Sequence, residues 1–298
     1  MKGEKPSWTA ALGAALRAAE WMAPEDKRVC HDPFAKDFLG PVFGAIARSR
    51  LLTRIAIWFS ERITPGMVGY IAGRVRYIDD YAKSRIDDGI EQLVILGAGY
   101  DSRAYRFDEM KGKVKVFEVD YPATQKVKME KVKKLFGFLP DHVVYVPIDF
   151  ENQTLDERLF ESGYDNNLNT LFTWEGVTYY ITPEGVDTTL AFVANNSGEG
   201  SSIIFDYAFQ SVLDGTCGVA VVNRARKAYE LIGTPLTSEH PRFGVEEGTI
   251  EEFLSQRGFY KVENVTGEHF ESAYTKGANQ SKKLWCVVYA SVSPRKQS

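Results

Sequence analysis

Residues Glu91–Phe107, EQLVILGAGYDSRAYRF, carry the strongest indication of the fold. They contain an uninterrupted apolar run, Leu93–Leu96, which is typical of a parallel strand that is buried on both faces. The run ends at Gly97, Ala98 and Gly99. Because a glycine has no side chain, a ligand can approach the backbone of such a turn closely. A strand, this turn and a following helix together predict the ligand-binding turn of an open α/β sheet.

The residues after the glycines argue against a bound pyrophosphate. The dinucleotide-binding pattern is Gly-x-Gly-x-x-Gly, but Ser102 stands where its last glycine would be. Asp101 lies in the turn itself, and a carboxylate there repels a phosphate and competes with it for the backbone donors. We therefore expect a close ligand that is not a phosphate. A lone Gly-x-Gly is equally compatible with a tight turn that binds nothing.

From residue 92 onwards, the chain has the pattern of a parallel sheet wrapped by helices. Short apolar runs alternate with amphipathic segments, and the last two runs predict an antiparallel pair that closes the sheet. One helix is expected from Pro122 to Phe136, and its basic run Lys126–Lys134 predicts a solvated face. The strands are expected at Leu93–Leu96, Val114–Val119, Val143–Ile148, Leu171–Trp174, Ile203–Phe205, Phe259–Val265 and Leu284–Val292.

Residues 1–90 predict helices. A set of large apolar residues falls at helical spacing and predicts one apolar face for packing: Leu51, Leu52, Ile55, Trp58 and Phe59. In the next predicted helix, Arg74 lies three residues after Ile71 and four before Ile78, on the same apolar face. A buried guanidinium is costly without a partner, so Arg74 is expected to have one.

Acidic residues follow three consecutive strands that come after the glycine turn. Asp120 ends the second strand at the spacing of an acid that binds ribose hydroxyls, with Glu118 on the same face as a poorer candidate. Asp149 and Phe150 end the third strand and offer an acceptor for an exocyclic amine and a wall for a purine. Glu175 follows the fourth strand at the edge where open sheets bind ligands. Each acid has a structural alternative as a turn residue or helix cap.

Taken together, these groups predict a cationic nucleoside ligand. Acids without a phosphate cradle suit a ligand with a ribose, a purine and a positive charge. S-adenosylmethionine fits this description, because its sulfonium and ammonium groups are cationic and its only anion is a carboxylate. Arg74 could pair with that carboxylate.

Composition excludes several other classes of protein. The net charge of −4 over 298 residues argues against a nucleic-acid surface. Cys30, Cys217 and Cys286 are odd in number and widely scattered, so neither a disulfide framework nor a metal site is expected. No apolar run approaches the length of a membrane span, and no secretory signal is evident at the N-terminus. We expect a cytoplasmic protein without membrane, metal or nucleic-acid partners, and no pattern predicts its oligomeric state.

A family resemblance supports the same ligand. RVRYIDDY, LVILGAGYDSRAYRF, FEVDYP, the DF of Asp149 and Phe150, and WEGVTYYI occur in this order. Together with HDPFAKDFLG, they resemble the S-adenosylmethionine-dependent methyltransferases related to leucine carboxyl methyltransferase, especially the microbial branch typed by ILGAGxDTRAYR. The likeness covers roughly residues 30 to 206, and Ser102 replaces the usual Thr.

The resemblance implies a single domain with an α/β class I methyltransferase (Rossmann-like) fold, a mostly parallel seven-stranded sheet with helices on both faces. Residues 1–90 would form a helical cap, 91–207 the cofactor-binding core, 208–245 a helical lid insertion, and 246–298 the closing helix and strands. The resemblance also implies cofactor roles. Arg74 would hold the methionine carboxylate, Glu175 would lie near the amino group, and the rest of the site would comprise Gly97, Ala98 and Gly99 for methionine, Asp120 and Tyr121 for ribose, and Asp149 and Phe150 for adenine.

The expected activity is O-methyl transfer to a carboxylate or hydroxyl of a small-molecule acceptor. A carboxylate needs no general base, whereas a hydroxyl does. Glu175, Tyr179 and His240 are the candidate catalytic residues. Three alternatives remain open: a methyltransferase acting on a protein C-terminal carboxylate, an NAD(P)-dependent oxidoreductase, and a non-catalytic nucleotide-binding protein.

Overall fold

A computed structural model of the chain describes residues 7–149, 153–218, 223–224, 227, 241–274 and 284–294. Its centre is one seven-stranded sheet with the order β3-β2-β1-β4-β5-β7-β6. The strands are β1 (Gln92–Leu96), β2 (Lys115–Asp120), β3 (Val143–Pro147), β4 (Thr170–Trp174), β5 (Ser202–Ala208), β6 (Phe259–Thr266) and β7 (Trp285–Val292). All seven predicted strands are present, with ends that differ by a few residues.

The strand order places a ligand crevice beside β1. Strands β1 to β5 are parallel, whereas β7 runs antiparallel to both β5 and β6. The chain moves outward from β1 through β2 to β3, and then returns to β4 on the other side of β1. At such a reversal the loops after the two central strands diverge, and the crevice between them is where open α/β sheets bind ligands.

Helices cover both faces of the sheet, because parallel strands are apolar on both sides. Leu93 and Ile95 pack with the helices of one face, and Val94 and Phe117 with those of the other. The first face carries α1 (Trp8–Trp21), α4 (Met67–Asp87), α6 (Pro122–Phe136) and α11 (Gly267–Ala273), and the second carries α7 (Leu155–Glu161), α8 (Pro183–Asn195) and α10 (Ile250–Ser255). Shorter or more peripheral helices are α2 (Pro41–Ala47), α3 (Arg50–Ile63), α5 (Arg103–Arg106) and α9 (Gln210–Leu213). In the described part of the chain, none of the helices has both the length and the apolar character needed to cross a bilayer.

The apolar face predicted for α3 is largely not buried. Thr53 is the one residue of this helix that is buried. The predicted packing residues remain exposed: Leu51 (68 %), Leu52 (45 %), Ile55 (53 %), Trp58 (59 %) and Phe59 (48 %). The helical periodicity was correct, but the expectation that this face packs into a core is wrong, because α3 lies at the outer side of the cap.

The basic run of α6 is also not wholly solvated. Lys128 is buried, and its Nζ lies 2.8 Å from Oε1 of Glu118 on β2. Tyr105 donates a hydrogen bond of 3.0 Å to the other carboxylate oxygen of Glu118. Burial raises the pKa of Glu118 to about 7, against the opposing effect of Lys128. Glu118 therefore belongs to an internal ion pair, and a solvated face is the wrong description for Lys128.

Most of the predicted lid insertion lies outside the described residues. Helix α9 follows β5 at the start of this segment, and Phe209 forms a bridge with Val245 at its end. His240 falls in the part that is not described, as does Phe150 after β3.

Candidate active site

The glycine turn after β1 packs closely against other parts of the chain. Gly97 and Gly99 both have positive φ angles, 65° and 42°, which disfavour any residue with a side chain. A Cβ on Gly97 would lie 2.5 Å from Cγ2 of Val177, and one on Gly99 would lie 3.0 Å from the Cβ of Ala10. The two glycines thus allow protein side chains, as well as any ligand, to approach this backbone.

Asp120 connects the end of β2 to the glycine turn. Its carboxylate accepts hydrogen bonds from the backbone N–H of Gly99 and, at 2.6 Å, from that of Tyr121. Burial raises the pKa of Asp120 above its usual value, and these two hydrogen bonds only partly oppose the shift. The carboxylate is therefore held at the carboxyl edge of the sheet, next to the turn.

A cavity of about 380 Å³ opens above this edge, and helix α1 of the cap forms its outer wall. Ser7 fixes the start of α1 to the core, because its backbone N–H donates a 3.1 Å hydrogen bond to Oγ1 of Thr124 on α6. The volume is in the range of small-molecule and cofactor sites. The described wall comprises Ser7, Thr9, Ala10, Gly13 and Arg17 from the cap, Ile95–Asp101 at the end of β1 and in the turn after it, Asp120 and Tyr121 at the end of β2, Glu175–Val177, Tyr180 and Ile181 after β4, and Arg74 from α4.

Arg74 crosses the cavity floor between two carboxylates. Its Nη1 lies 2.6 Å from Oδ2 of Asp206 at β5, and its Nη2 lies 3.0 Å from Oε1 of Glu175. Asp206 in turn accepts a 2.6 Å hydrogen bond from the backbone N–H of Gly176. Arg74 was expected to have a partner, and it has two: Glu175 after β4 and Asp206 in the neighbouring β5.

Arg103 connects the same group of charges to α4 and to the glycine turn. Its guanidinium pairs with Asp79 at 2.7 Å, with Glu175 at 2.8 Å and with Asp101. Although burial favours the neutral acid, Arg103 and its neighbours lower the pKa of Asp101 to about 2. Asp101, which the sequence analysis interpreted as unfavourable for a phosphate, therefore stays ionised. Its negative charge is balanced by the guanidinium of Arg103.

Glu175 is held as an anion by two arginines. One oxygen pairs with Arg74 and the other with Arg103. Burial raises the pKa of Glu175, but the two guanidinium groups outweigh it and the net shift is downward. A carboxylate in this state is a poor proton acceptor.

Most predicted cofactor residues come together at the cavity. Arg74, Gly97, Ala98, Gly99, Asp120, Tyr121 and Glu175 all line it. Asp149 does not appear in the wall, and Phe150 lies outside the described residues. The phenol of Tyr179 lies beside Arg74, and burial raises its pKa well above the usual value. Its neighbour Tyr180 lines the cavity instead. Within the described residues, no cluster of side chains could hold a metal ion.

Three residues at or next to the candidate site were not identified from the sequence. Asp206 had a usable signal, because it follows the fifth apolar run as Asp120 follows the second. Arg17 lines the cavity and pairs with Asp32 at 2.7 Å, but it stands in a helix whose position over the core no local pattern reveals. Arg103 follows the glycine turn closely, but two of its three carboxylate partners, Asp79 and Glu175, are distant in the sequence. Local sequence patterns therefore do not reveal its ion pairs.

Comparison with known sequences identifies the family. The family model described as leucine carboxyl methyltransferase matches residues 10–194. A Bacillus subtilis (strain 168) protein, YktD, named as an S-adenosyl-L-methionine-dependent methyltransferase, is 31 % identical over 201 residues, which are 67 % of this chain and 64 % of that protein. The match thus spans just under two thirds of that relative. A Mycobacterium avium (strain 104) protein named in the same way is 28 % identical over 270 residues, 84 % of this chain and 82 % of that protein.

Solved structures show the same fold at low sequence identity. A Thermobifida fusca YX protein named as a methyltransferase superposes with a TM-score of 0.60 at 12 % identity, over 98 % of this chain and 97 % of that one. A DUF574 family protein from Streptomyces avermitilis gives 0.54, also at 12 % identity, over 98 % and 99 % of the two chains. The predicted class I methyltransferase fold is confirmed. This chain belongs to the leucine carboxyl methyltransferase family of S-adenosylmethionine-dependent methyltransferases.

Proposed function

We propose that this protein is an O-methyltransferase with a small-molecule acceptor, and that the acceptor oxygen belongs to a carboxylate. The supporting observation is that the described part of the cavity wall offers no general base. Asp101 and Glu175 have lowered pKa values and pair with arginines. Burial raises the pKa of Asp120, but both of its oxygens already accept hydrogen bonds from backbone N–H groups, and no described histidine lines the cavity. A carboxylate acceptor is already anionic at neutral pH and needs no base.

The residues of the cavity fit S-adenosylmethionine as the methyl donor. Asp120 lies at the end of β2, where an acid can bind ribose hydroxyls, and no lysine or arginine cradle for a diphosphate lies in the glycine turn. The cofactor supplies an activated methyl group, so the chain mainly has to hold the acceptor oxygen about 3 Å from it and in line with the leaving sulfur. Of the wall residues that the structure describes, Arg74 and Arg17 carry positive charge, and we assign Arg74 to the methionine carboxylate.

Family membership removes the NAD(P)-dependent oxidoreductase from the alternatives. An acceptor screen separates those that remain. The purified chain is incubated with S-adenosylmethionine and with matched sets of aliphatic acids, aromatic acids, phenols and peptides, and S-adenosylhomocysteine release is measured. Methyl esters from the acids would support the proposal, and turnover with peptides alone would favour a protein C-terminal carboxylate. Cofactor binding without turnover of any set would indicate a non-catalytic protein.

The pH dependence of turnover tests the absence of a base. With a carboxylate acceptor, we expect kcat/KM to stay constant within about twofold from pH 6 to pH 8, because neither the acceptor nor Glu175 titrates there. A phenol acceptor assisted by a base would instead give a rate that rises with pH. A tenfold rise over this range with the preferred acceptor would contradict the carboxylate assignment.

Asp120→Ala tests the position of the ribose. We expect the dissociation constants of S-adenosylmethionine and S-adenosylhomocysteine to rise together by about 10- to 100-fold, since a charge-assisted hydrogen bond contributes roughly 1.5–3 kcal/mol. Isothermal titration calorimetry measures both constants. Asp108→Ala, an exposed acid away from the cavity, is the matched control and should leave them unchanged. A selective effect on acceptor binding would show that Asp120 does not contact the cofactor.

A further inference from the structure

A second cavity lies in the cap, on the other side of α1 from the cofactor cavity. We call it the cap cavity. It has a volume of about 490 Å³ and lies between α1, α2 and α3. Trp8, Leu12 and Leu16 line it from α1, whereas Thr9, Gly13 and Arg17 of the same helix line the cofactor cavity. Since the two sets share no residue, α1 separates the two sites.

The wall of the cap cavity is almost wholly apolar. Phe43 and Ile46 from α2 and Ile57 from α3 complete the aliphatic and aromatic lining. The hydroxyl of Thr53 donates to the backbone carbonyl of Ile46 at 2.9 Å, and that of Thr64 donates to a backbone carbonyl at 3.2 Å. These two hydroxyls are therefore already bonded; Ser60 adds one more hydroxyl, and the rest of the described wall presents carbon to an occupant. An apolar space of this size favours an apolar ligand over water.

A cation-lined cleft is continuous with the cap cavity. Ala19, Ala47, Thr53 and Ile57 line both spaces. The cleft, which we call the basic cleft, carries six positive charges, from Lys27, Arg28, Lys36, Arg48, Arg50 and Arg54. Among its described wall residues Glu20 is the one acid, and its Oε1 accepts a hydrogen bond of 2.6 Å from the backbone N–H of Val29.

Within the described part of the chain, most of the positive charge of the basic cleft is not neutralised by ion pairs. Among the residues described, no carboxylate forms an ion pair with Lys27, Lys36, Arg48, Arg50 or Arg54. The whole chain carries a net charge of −4, so this local excess of positive charge does not simply reflect the average charge of the protein. Unpaired cations gathered in a concave surface raise the local concentration of an anion.

We propose that the cap cavity and the basic cleft together bind an anionic amphiphile, with its apolar tail in the cap cavity and its anionic head in the basic cleft. The ligand is one molecule that enters from solution. The cap cavity and the basic cleft share no described wall residue with the cofactor cavity, so this ligand is distinct from the methyl acceptor. The assignment does not depend on the proposed function.

Dodecanoate at monomeric concentrations is the probe, and dodecanol is its neutral counterpart. Calorimetry and tryptophan fluorescence measure binding, because Trp8 lines the cap cavity and Trp21 the basic cleft. We expect saturable binding of one dodecanoate per chain. Ala56→Trp should abolish it, because an indole at this exposed position of α3 would occupy the cap cavity. Arg50→Glu/Arg54→Glu should weaken it about tenfold, since two attractive charges become repulsive.

Lys126→Glu is the matched control, an exposed charge reversal on α6 outside both spaces. It should leave dodecanoate affinity within twofold, and none of these variants should change the affinity for S-adenosylmethionine, which reports that each is folded. Equal dodecanoate affinity in the wild type and Ala56→Trp would overturn the proposal, as would equal effects of Lys126→Glu and the double reversal. Binding to anionic phospholipid vesicles without binding of monomeric dodecanoate would also overturn it in favour of a membrane-docking surface.

Discussion

Replacing Arg103 by methionine is expected to lower the free energy of unfolding by about 3–5 kcal/mol, the range measured when one partner of a buried ion pair is removed. Arg103 is 1 % exposed and pairs with the buried Asp79 and with Asp101 and Glu175 at the cavity wall, so its loss leaves three carboxylates without their common cation. Arg106 still pairs with Asp79 at 2.6 Å, and Arg74 still pairs with Glu175. Within the described residues, Asp101 has no second ion-pair partner of this kind and should suffer most. Thermal unfolding should show a melting temperature lowered by about 10 °C.

Arg76→Met is the matched control, since it makes the same substitution at a surface pair. Arg76 and Asp80 are 47 % and 45 % exposed and lie one helical turn apart, so their pairing contributes about 0.5 kcal/mol or less. A loss of similar size in both variants would contradict the assignment of Arg103 as the centre of a buried charge network.

The same variant should also show a changed dependence of stability on pH. In the wild type, Arg103 holds the pKa of Asp101 at about 2, below its usual 3.8, so the stabilising effect is complete above pH 4 and is lost below it. Without the Arg103 guanidinium, burial is opposed only by Lys128, Arg106 and a backbone hydrogen bond, so we expect the pKa of this acid in the folded state to rise above that of the unfolded state. The variant therefore gains stability as the pH falls, and its deficit should be smaller at pH 5 than at pH 8. Denaturant titrations at both values measure this difference, and a deficit independent of pH would count against a buried carboxylate.

The fold could be predicted because its signals are local. Each strand is a short apolar run, and Gly89 and Gly258, both with positive φ, end helices where the sequence indicated. The errors arose where distant parts of the chain decide burial. A lysine at position 128 has the same helical pattern whether it faces water or Glu118, and the apolar face of α3 has the same pattern whether or not a partner covers it.

The site was predictable to a similar extent. Asp120 and Glu175 follow strands, and parallel strands bring their carboxyl ends to one edge, so their convergence follows from the pattern. The pairing of these acids does not follow from it. Glu175 was expected to face a ligand ammonium group, whereas both of its oxygens pair with arginines that are distant along the chain. Only the folded arrangement shows that the acid is already neutralised.

Gly97→Ala is expected to have the largest effect on the cofactor cavity. The new Cβ would lie 2.5 Å from Cγ2 of Val177, and the φ of 65° disfavours any residue with a side chain. Overpacking costs about 1–3 kcal/mol and a left-handed alanine about 1–2 kcal/mol, so we expect a loss of about 2–5 kcal/mol. Because both residues line the cavity, any shift that relieves the contact alters its wall. The affinity for S-adenosylmethionine should fall by at least about 30-fold, the equivalent of roughly 2 kcal/mol.

A second substitution separates the two causes. Val177→Ala removes the methyl groups that the new Cβ would strike, so Gly97→Ala/Val177→Ala should regain the overpacking part of the loss and retain the backbone part. Gly112→Ala supplies the matched control, since Gly112 has a φ of 72° but a Cβ at this position would meet no atom within 4 Å. It should lose about 1 kcal/mol of stability and no cofactor affinity. If the double variant binds the cofactor no better than Gly97→Ala does, then Val177 is not the group that requires a glycine at this turn, and the bare backbone serves the ligand directly.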